Sequence, residues 1–182
     1  MPDTTGPRIL VVDDNRQLRR LFALYLESEG FVIVEADDGG AALEHCARER
    51  CDLVLLDLRM PGLDGHEVLA RLRAGSPDLP VIVVSGTGDV ADVIAALRAG
   101  ATDYLLKPVE DLAILLHAVR RALERAELLQ ENRRHREHLE QEVRERTAEL
   151  TAANRELEEL RRHLEQENEY LREEVGAVAP IS

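Results

Sequence analysis

Five short apolar runs in this 182-residue chain each end on a residue able to do chemistry. Ile9–Val12 runs into Asp13 and Asp14, Phe31–Val34 into Glu35, Leu53–Leu56 into Asp57, Val81–Val84 into Ser85, and Tyr104–Leu106 into Lys107. If the runs are parallel strands, ligands bind outside their carboxyl ends, and three carboxylates, a hydroxyl and an amine converge at one edge. Crowded carboxylates repel one another, and a hard divalent cation with open water positions, Mg²⁺ above all, relieves that repulsion. Such a cation beside a lysine and a serine hydroxyl offers charge and hydrogen-bond partners to a phosphoryl group. A carboxylate can attack phosphorus and hold it as an acyl phosphate. The set therefore points to phosphoryl transfer onto an aspartate. Lys107 sharpens this, because it is the only lysine among 23 basic residues. A chain that uses arginine everywhere else keeps one compact ammonium where one is required.

The elements that must position these groups are legible in the hydrophobic pattern. Four-residue runs that are apolar throughout fit strands buried on both faces, as in a parallel sheet. Between them the spacing is helical: Leu18, Leu21, Phe22, Tyr25 and Leu26; then Ala41, Ala42, Leu43 and Cys46; then Val68, Leu69 and Leu72; then Val90, Val93, Ile94 and Leu97. Gly30, Gly75 and Gly100 follow these helices where a left-handed cap residue is wanted. The order is (βα)₅, which predicts an α/β fold with a doubly wound, five-stranded parallel sheet.

Composition excludes other classes. With 36 acids against 23 bases the net charge is −13, which argues against non-specific nucleic-acid binding and against anionic membrane surfaces, and no direct DNA binding is expected. No apolar run approaches the roughly 18 residues of a membrane span, and Met1 to Arg8 lacks a signal-peptide core. Cys46 and Cys51, the only cysteines, make neither a disulfide framework nor a zinc site, and core filling is their expected role. A reducing cytoplasm fits this usage.

Val11-Val12-Asp13-Asp14-Asn15, Leu55-Leu56-Asp57-Leu58-Arg59-Met60-Pro61-Gly62, Ser85-Gly86 and Tyr104-Leu105-Leu106-Lys107-Pro108 together resemble the receiver domain of two-component response regulators. The resemblance covers residues 8–123 in order and implies a flavodoxin-like, chemotaxis-receiver-like fold. It implies that Asp57 accepts phosphate from a histidine kinase or phosphotransfer protein. Asp13, Asp14, Asp57 and the backbone carbonyl of Arg59 would hold Mg²⁺. Ser85 would hydrogen-bond the phosphoryl group, Lys107 would pair with it, and Tyr104 would turn inward as Ser85 moves. The Lys107–Pro108 bond would be cis. A receiver is no enzyme beyond promoting its own phosphorylation and dephosphorylation.

Two other chemistries fit less well. Gly86-Thr87-Gly88-Asp89-Val90-Ala91 has the position of a dinucleotide fingerprint, but the next strand ends in Lys107 where a ribose-binding acid belongs. A dehalogenase-like phosphatase wants a second Asp two positions after the first, and Arg59 stands there. Asp37, Asp38, Asp64 and Asp78 precede helices or turns and read as caps.

From Glu110 the helical pattern runs on without Gly or Pro to Val175. Val143, Leu150, Leu157, Leu164 and Leu171 recur every seventh residue, a coiled-coil seam. Two registers fit. With these residues at a, Leu139, Ala153 and Leu160 fall at d beside Arg146, Glu167 and Glu174. With them at d, Asn154 and Asn168 occupy a, where a buried Asn favours a parallel dimer. The expected organisation is a flexible N-terminus (1–7), the receiver (8–123), a long helix forming a parallel coiled coil (124–175) and a flexible tail (176–182). Homodimerisation through 139–175 would relay the state of Asp57. A constitutive scaffold, a phosphate sink, or a fragment of a larger regulator such as an AAA+ transcription activator remain alternatives.

Overall fold

A computed structural model describes residues 6–86 and 88–177. The order is β1 (Arg8–Val12), α1 (Arg16–Ser28), β2 (Val32–Ala36), α2 (Gly39–Arg48), β3 (Leu53–Leu56), α3 (Gly65–Gly75), β4 (Val81–Ser85), α4 (Val90–Arg98), β5 (Asp103–Leu106) and α5 (Leu112–Ala177). The strands form one sheet in the order β2-β1-β3-β4-β5, every neighbouring pair parallel. The (βα)₅ expectation holds.

Alternation along the central strands explains why Ile9–Val12, Leu53–Leu56 and Val81–Val84 are apolar throughout. Ile9, Val11, Leu53, Leu55, Ile82 and Val84 face one layer, where they meet Phe22 and Leu26 of α1 and Leu115, Ala118, Val119 and Ala122 of α5. Leu10, Val12, Val54, Leu56 and Val81 face the other, against Ala42 of α2 and Val68, Leu69 and Leu72 of α3. Each fully buried Leu, Ile or Val contributes about 1.5–3 kcal/mol relative to exposure. A polar residue inside β1, β3 or β4 would forfeit that on one face or the other. The edge strand β2 is freer. It begins at Val32 and runs to Ala36, because its ladder with β1 pairs Arg8 with Val32 and Val12 with Ala36. Phe31, expected inside the strand, precedes it and packs against the α1/α5 layer. Glu35 is accommodated by ion pairs to Arg19 and Arg20 at 3.1 Å each.

The caps follow side-chain chemistry. Asn15, Asp38, Asp64 and Asp89 accept from backbone N–H groups at the starts of α1 to α4. Asp78 lies instead in the turn before β4, where its charge acts on Arg73. Gly30 and Gly100 take positive φ, as expected after α1 and α4. Gly75 does not. It is the last residue of α3, and Ser76 follows at a negative φ of −143° with its N–H on the Leu72 carbonyl, so no left-handed residue is needed. Thr87, within the fingerprint-like segment, lies outside the described residues.

The chain divides into two units, 1–130 and 131–182. In the second unit α5 runs to Ala177, through Gly176 and two residues beyond the expected end of the helix. At the other terminus the Pro7 carbonyl accepts from the Val32 N–H at 3.0 Å. The remainder of the expected flexible ends, 1–5 and 178–182, lies outside the described residues.

Candidate functional site at the carboxyl edge of the sheet

The chain steps from β1 to β2 on one side and then returns to place β3 on the other, so a crevice opens between the ends of β1 and β3. Asp13 follows β1 and Asp57 follows β3, and the pairing of Val12 with Leu56 brings them level. Backbone bonds extend three of the four ladders one residue past their strands. The Asp13 N–H donates to the Ala36 carbonyl at 3.2 Å, that of Asp57 to Val12 at 2.9 Å, and that of Lys107 to Ser85 at 2.9 Å. The sheet itself thus fixes where these side chains start.

Asp13 and Asp57 are almost wholly buried, at 2% and 5% exposure. Buried carboxylates require partners, and every oxygen has one. Asp13 Oδ1 accepts from the Asn15 N–H at 2.8 Å, and Asp57 Oδ1 from the Arg59 N–H at 3.1 Å. Both Oδ2 atoms accept from Lys107 Nζ, each at 2.7 Å. Burial alone would pull the Lys107 pKa down. Two carboxylate hydrogen bonds and the charges of both acids outweigh it, and the ammonium is held above the ordinary lysine value. Asp14 is exposed, yet carboxylate oxygens of Asp13, Asp14 and Asp57 all lie within 4.8 Å of one another. One ammonium thus bridges two of three clustered acids, and the carboxylates outnumber it.

The segment after Asp57 alternates like a strand. Leu58 and Met60 are buried, Leu58 beside Val83 and Ala96 and Met60 in the α2/α3 layer. Arg59 is turned outward, and its guanidinium lies 3.7 Å from Asp92 of α4. Ser85 is fully buried at the end of β4. Tyr104, paired with Val83 across the β4/β5 ladder, packs against Leu58, Val83 and Ala96. The Lys107–Pro108 peptide is cis.

The sequence pattern missed two supports. Arg19 donates from Nη1 to the Asp13 carbonyl at 2.6 Å while its Nε reaches Glu35 at 3.1 Å, so α1 braces the β1 turn. Gly65 opens α3 so near the Asp57 carbonyl and Leu58 Cα that a side chain there would collide with backbone. A glycine after a helix-capping Asp was the available signal for the second. Nothing in the spacing signals the first.

Comparison with known proteins agrees with this geometry. The family described as "Response regulator receiver domain" matches residues 9–120. Response regulator MprA of Mycobacterium leprae is 43% identical over 116 residues, covering 63% of this chain and 51% of that protein. Transcriptional regulatory protein ResD of Bacillus subtilis is 39% identical over 126 residues, covering 69% of this chain and 52% of its own. The chain thus spans about half the length of these curated relatives. Among solved structures, a response regulator receiver domain protein of Methanospirillum hungatei superposes with a TM-score of 0.65 at 30% identity, covering 68% of this chain and 98% of that one. On fold, strand-end chemistry and similarity together, the chain belongs to the response regulator receiver domain family.

Proposed function

We propose that Asp57 is the phosphoacceptor of a two-component phosphorelay. The observation that carries this is the double contact of Lys107 with Asp57 and Asp13 at the carboxyl edge of the sheet. In the transfer, an Asp57 carboxylate oxygen forms a bond to phosphorus while the P–N bond to a kinase or phosphotransfer-protein histidine breaks. The departing imidazole keeps the electron pair and takes a proton. Lys107 and the Ser85 hydroxyl receive the phosphoryl oxygens; Asn15 and Arg59, through their backbone N–H groups, keep the acids oriented.

The residues present fit Mg²⁺, since three hard carboxylates crowd within 4.8 Å with only one ammonium to balance them. Asp13, Asp14, Asp57 and the Arg59 carbonyl would hold it. Bound there, the ion supplies positive charge to phosphoryl oxygens that would otherwise meet an acidic cluster.

The C-terminal helix supports the second half of the proposal. Val143, Leu150, Leu157, Leu164 and Leu171 repeat every seventh residue and all are exposed on α5. A second copy covering them would bury this stripe, so homodimerisation through 139–175 is the proposed output, biased by phosphorylation of Asp57. DNA contact is not carried over from the relatives named as transcriptional regulators.

The test is incubation of the chain with acetyl phosphate and Mg²⁺, followed by intact-mass and peptide mapping. One phosphoryl group on Asp57 is expected, absent in Asp57→Asn and in excess chelator. Modification elsewhere, or none, overturns the assignment.

A further inference from the structure

Two thiols lie away from the aspartate pocket, and the phosphoryl chemistry makes no use of them. Cys46 sits in the last turn of α2 and Cys51 two residues before β3, with the chain reversing between them through exposed residues 47–50. Both are free, both are partly exposed, and their Sγ atoms lie 4.0 Å apart. They pack at the margin of the core layer formed by α2 and α3.

We propose that Cys46 and Cys51 are a hydroperoxide-oxidisable dithiol that closes to an intrachain disulfide. A disulfide needs the sulfurs at about 2.0 Å, so they must approach by roughly 2 Å, a shift that side-chain rotation and the exposed connection can supply. The thiols also differ in character. The hydrogen bond shared by the two thiols lowers the Cys46 pKa against the opposing effect of burial. The Cys51 thiol is pushed up by its hydrogen bond to Cys46 and by burial. With Cys46 as the attacking sulfur, Cys51 lies 4.0 Å away to resolve it, and the contact serves the reverse order equally.

The chemistry balances with a hydroperoxide as oxidant. The Cys46 thiolate attacks the peroxide O–O bond, giving a sulfenic acid and releasing hydroxide, which takes up a proton as water. Cys51 sulfur then attacks Cys46 sulfur, the S–O bond breaks, and the hydroxide leaves as water with the Cys51 proton. Two thiols lose two electrons, and hydrogen peroxide is reduced to two waters. The new bond would lie at the amino end of β3, the end opposite Asp57.

The experiment uses the reduced full chain, dilute, exposed to hydrogen peroxide and then quenched in denaturant with N-ethylmaleimide. The expected product is a single chain lighter by two hydrogens, carrying no maleimide and restored by dithiothreitol. Cys51→Ser and Cys46→Ser should each stop at a sulfenic acid on the remaining thiol, trapped by dimedone, with no intrachain disulfide. Circular dichroism confirms that both variants fold, and the wild-type mass decides the question even if one does not. Retention of both alkylated thiols or a chain-to-chain disulfide overturns the proposal.

Discussion

Lys107 reaches past the end of β4 from β5 to Asp57 at the end of β3, placing Nζ 2.7 Å from Oδ2. The same ammonium lies 2.7 Å from Asp13 Oδ2, so one cation serves two buried acids from different strands. Removing it leaves both uncompensated. Lys107→Met should lose about 2–4 kcal/mol in chelator, the cost of orphaning a buried charge pair. Urea denaturation checks this, with a second arm in Mg²⁺. The variant should recover more stability from the ion than wild type does, because ion and ammonium compete for the same oxygens. Equal stability of variant and wild type in chelator would mean the bridge is energetically idle.

Asp14 separates metal binding from folding, because it is exposed while Asp13 and Asp57 are buried. Asp14→Ala should shift stability in chelator by less than about 0.5 kcal/mol. Wild type should gain about 2.7 kcal/mol when Mg²⁺ reaches a hundredfold excess over its Kd, by linkage. The variant should gain much less at that concentration. Thermal melts across a Mg²⁺ series distinguish these outcomes. An undiminished gain in Asp14→Ala would remove this residue from the ligand set.

Two glycines of α3 should respond to alanine with opposite signs. At Gly65 a methyl would meet the Asp57 carbonyl and Leu58 Cα, backbone atoms that cannot step aside without moving Asp57. Gly65→Ala should therefore cost more than about 2 kcal/mol and slow phosphorylation by acetyl phosphate. At Gly75 no atom lies within 4 Å and φ is not positive. Gly75→Ala should stabilise by about 0.4–1 kcal/mol through the unfolded chain. Paired denaturation curves test both, and a harmless Gly65→Ala would refute the close-approach argument.

The contrast between these glycines shows what was legible in the chain. Asp13, Asp57, Ser85 and Lys107 could be placed at one edge from sequence, because a parallel sheet sends every strand's carboxyl end the same way. Gly75 was misread, since a glycine after a helix satisfies the cap pattern whether or not the chain turns left-handed there. Arg19 was invisible for a different reason. Its hold on the Asp13 carbonyl depends on how α1 leaves the β1 turn, which hydrophobic spacing does not encode. The Cys46–Cys51 contact likewise depends on the reversal at residues 47–50, so a five-residue separation alone could not reveal it.

The register of the C-terminal helix can be decided by one substitution. If Val143, Leu150 and Leu157 occupy d, Asn154 lies at a, inside the seam of a parallel dimer, where it trades stability for a fixed register. Asn154→Leu would then bury new apolar surface and tighten self-association, with higher oligomers appearing. If those residues occupy a, Asn154 lies at e on the flank, Leu160 completes the seam at d, and the same substitution leaves the assembly nearly unchanged. Leu160→Asn gives the reciprocal result, weakening association most when Leu160 is at d. Sedimentation equilibrium of both variants reads the difference directly. Leu157→Glu combined with Leu164→Glu should abolish self-association in either register, since both residues are seam positions and both are more than half exposed on the unpartnered helix. If that double variant sediments as wild type does, the stripe is not the dimer surface, and the coiled-coil output falls while the aspartate chemistry stands.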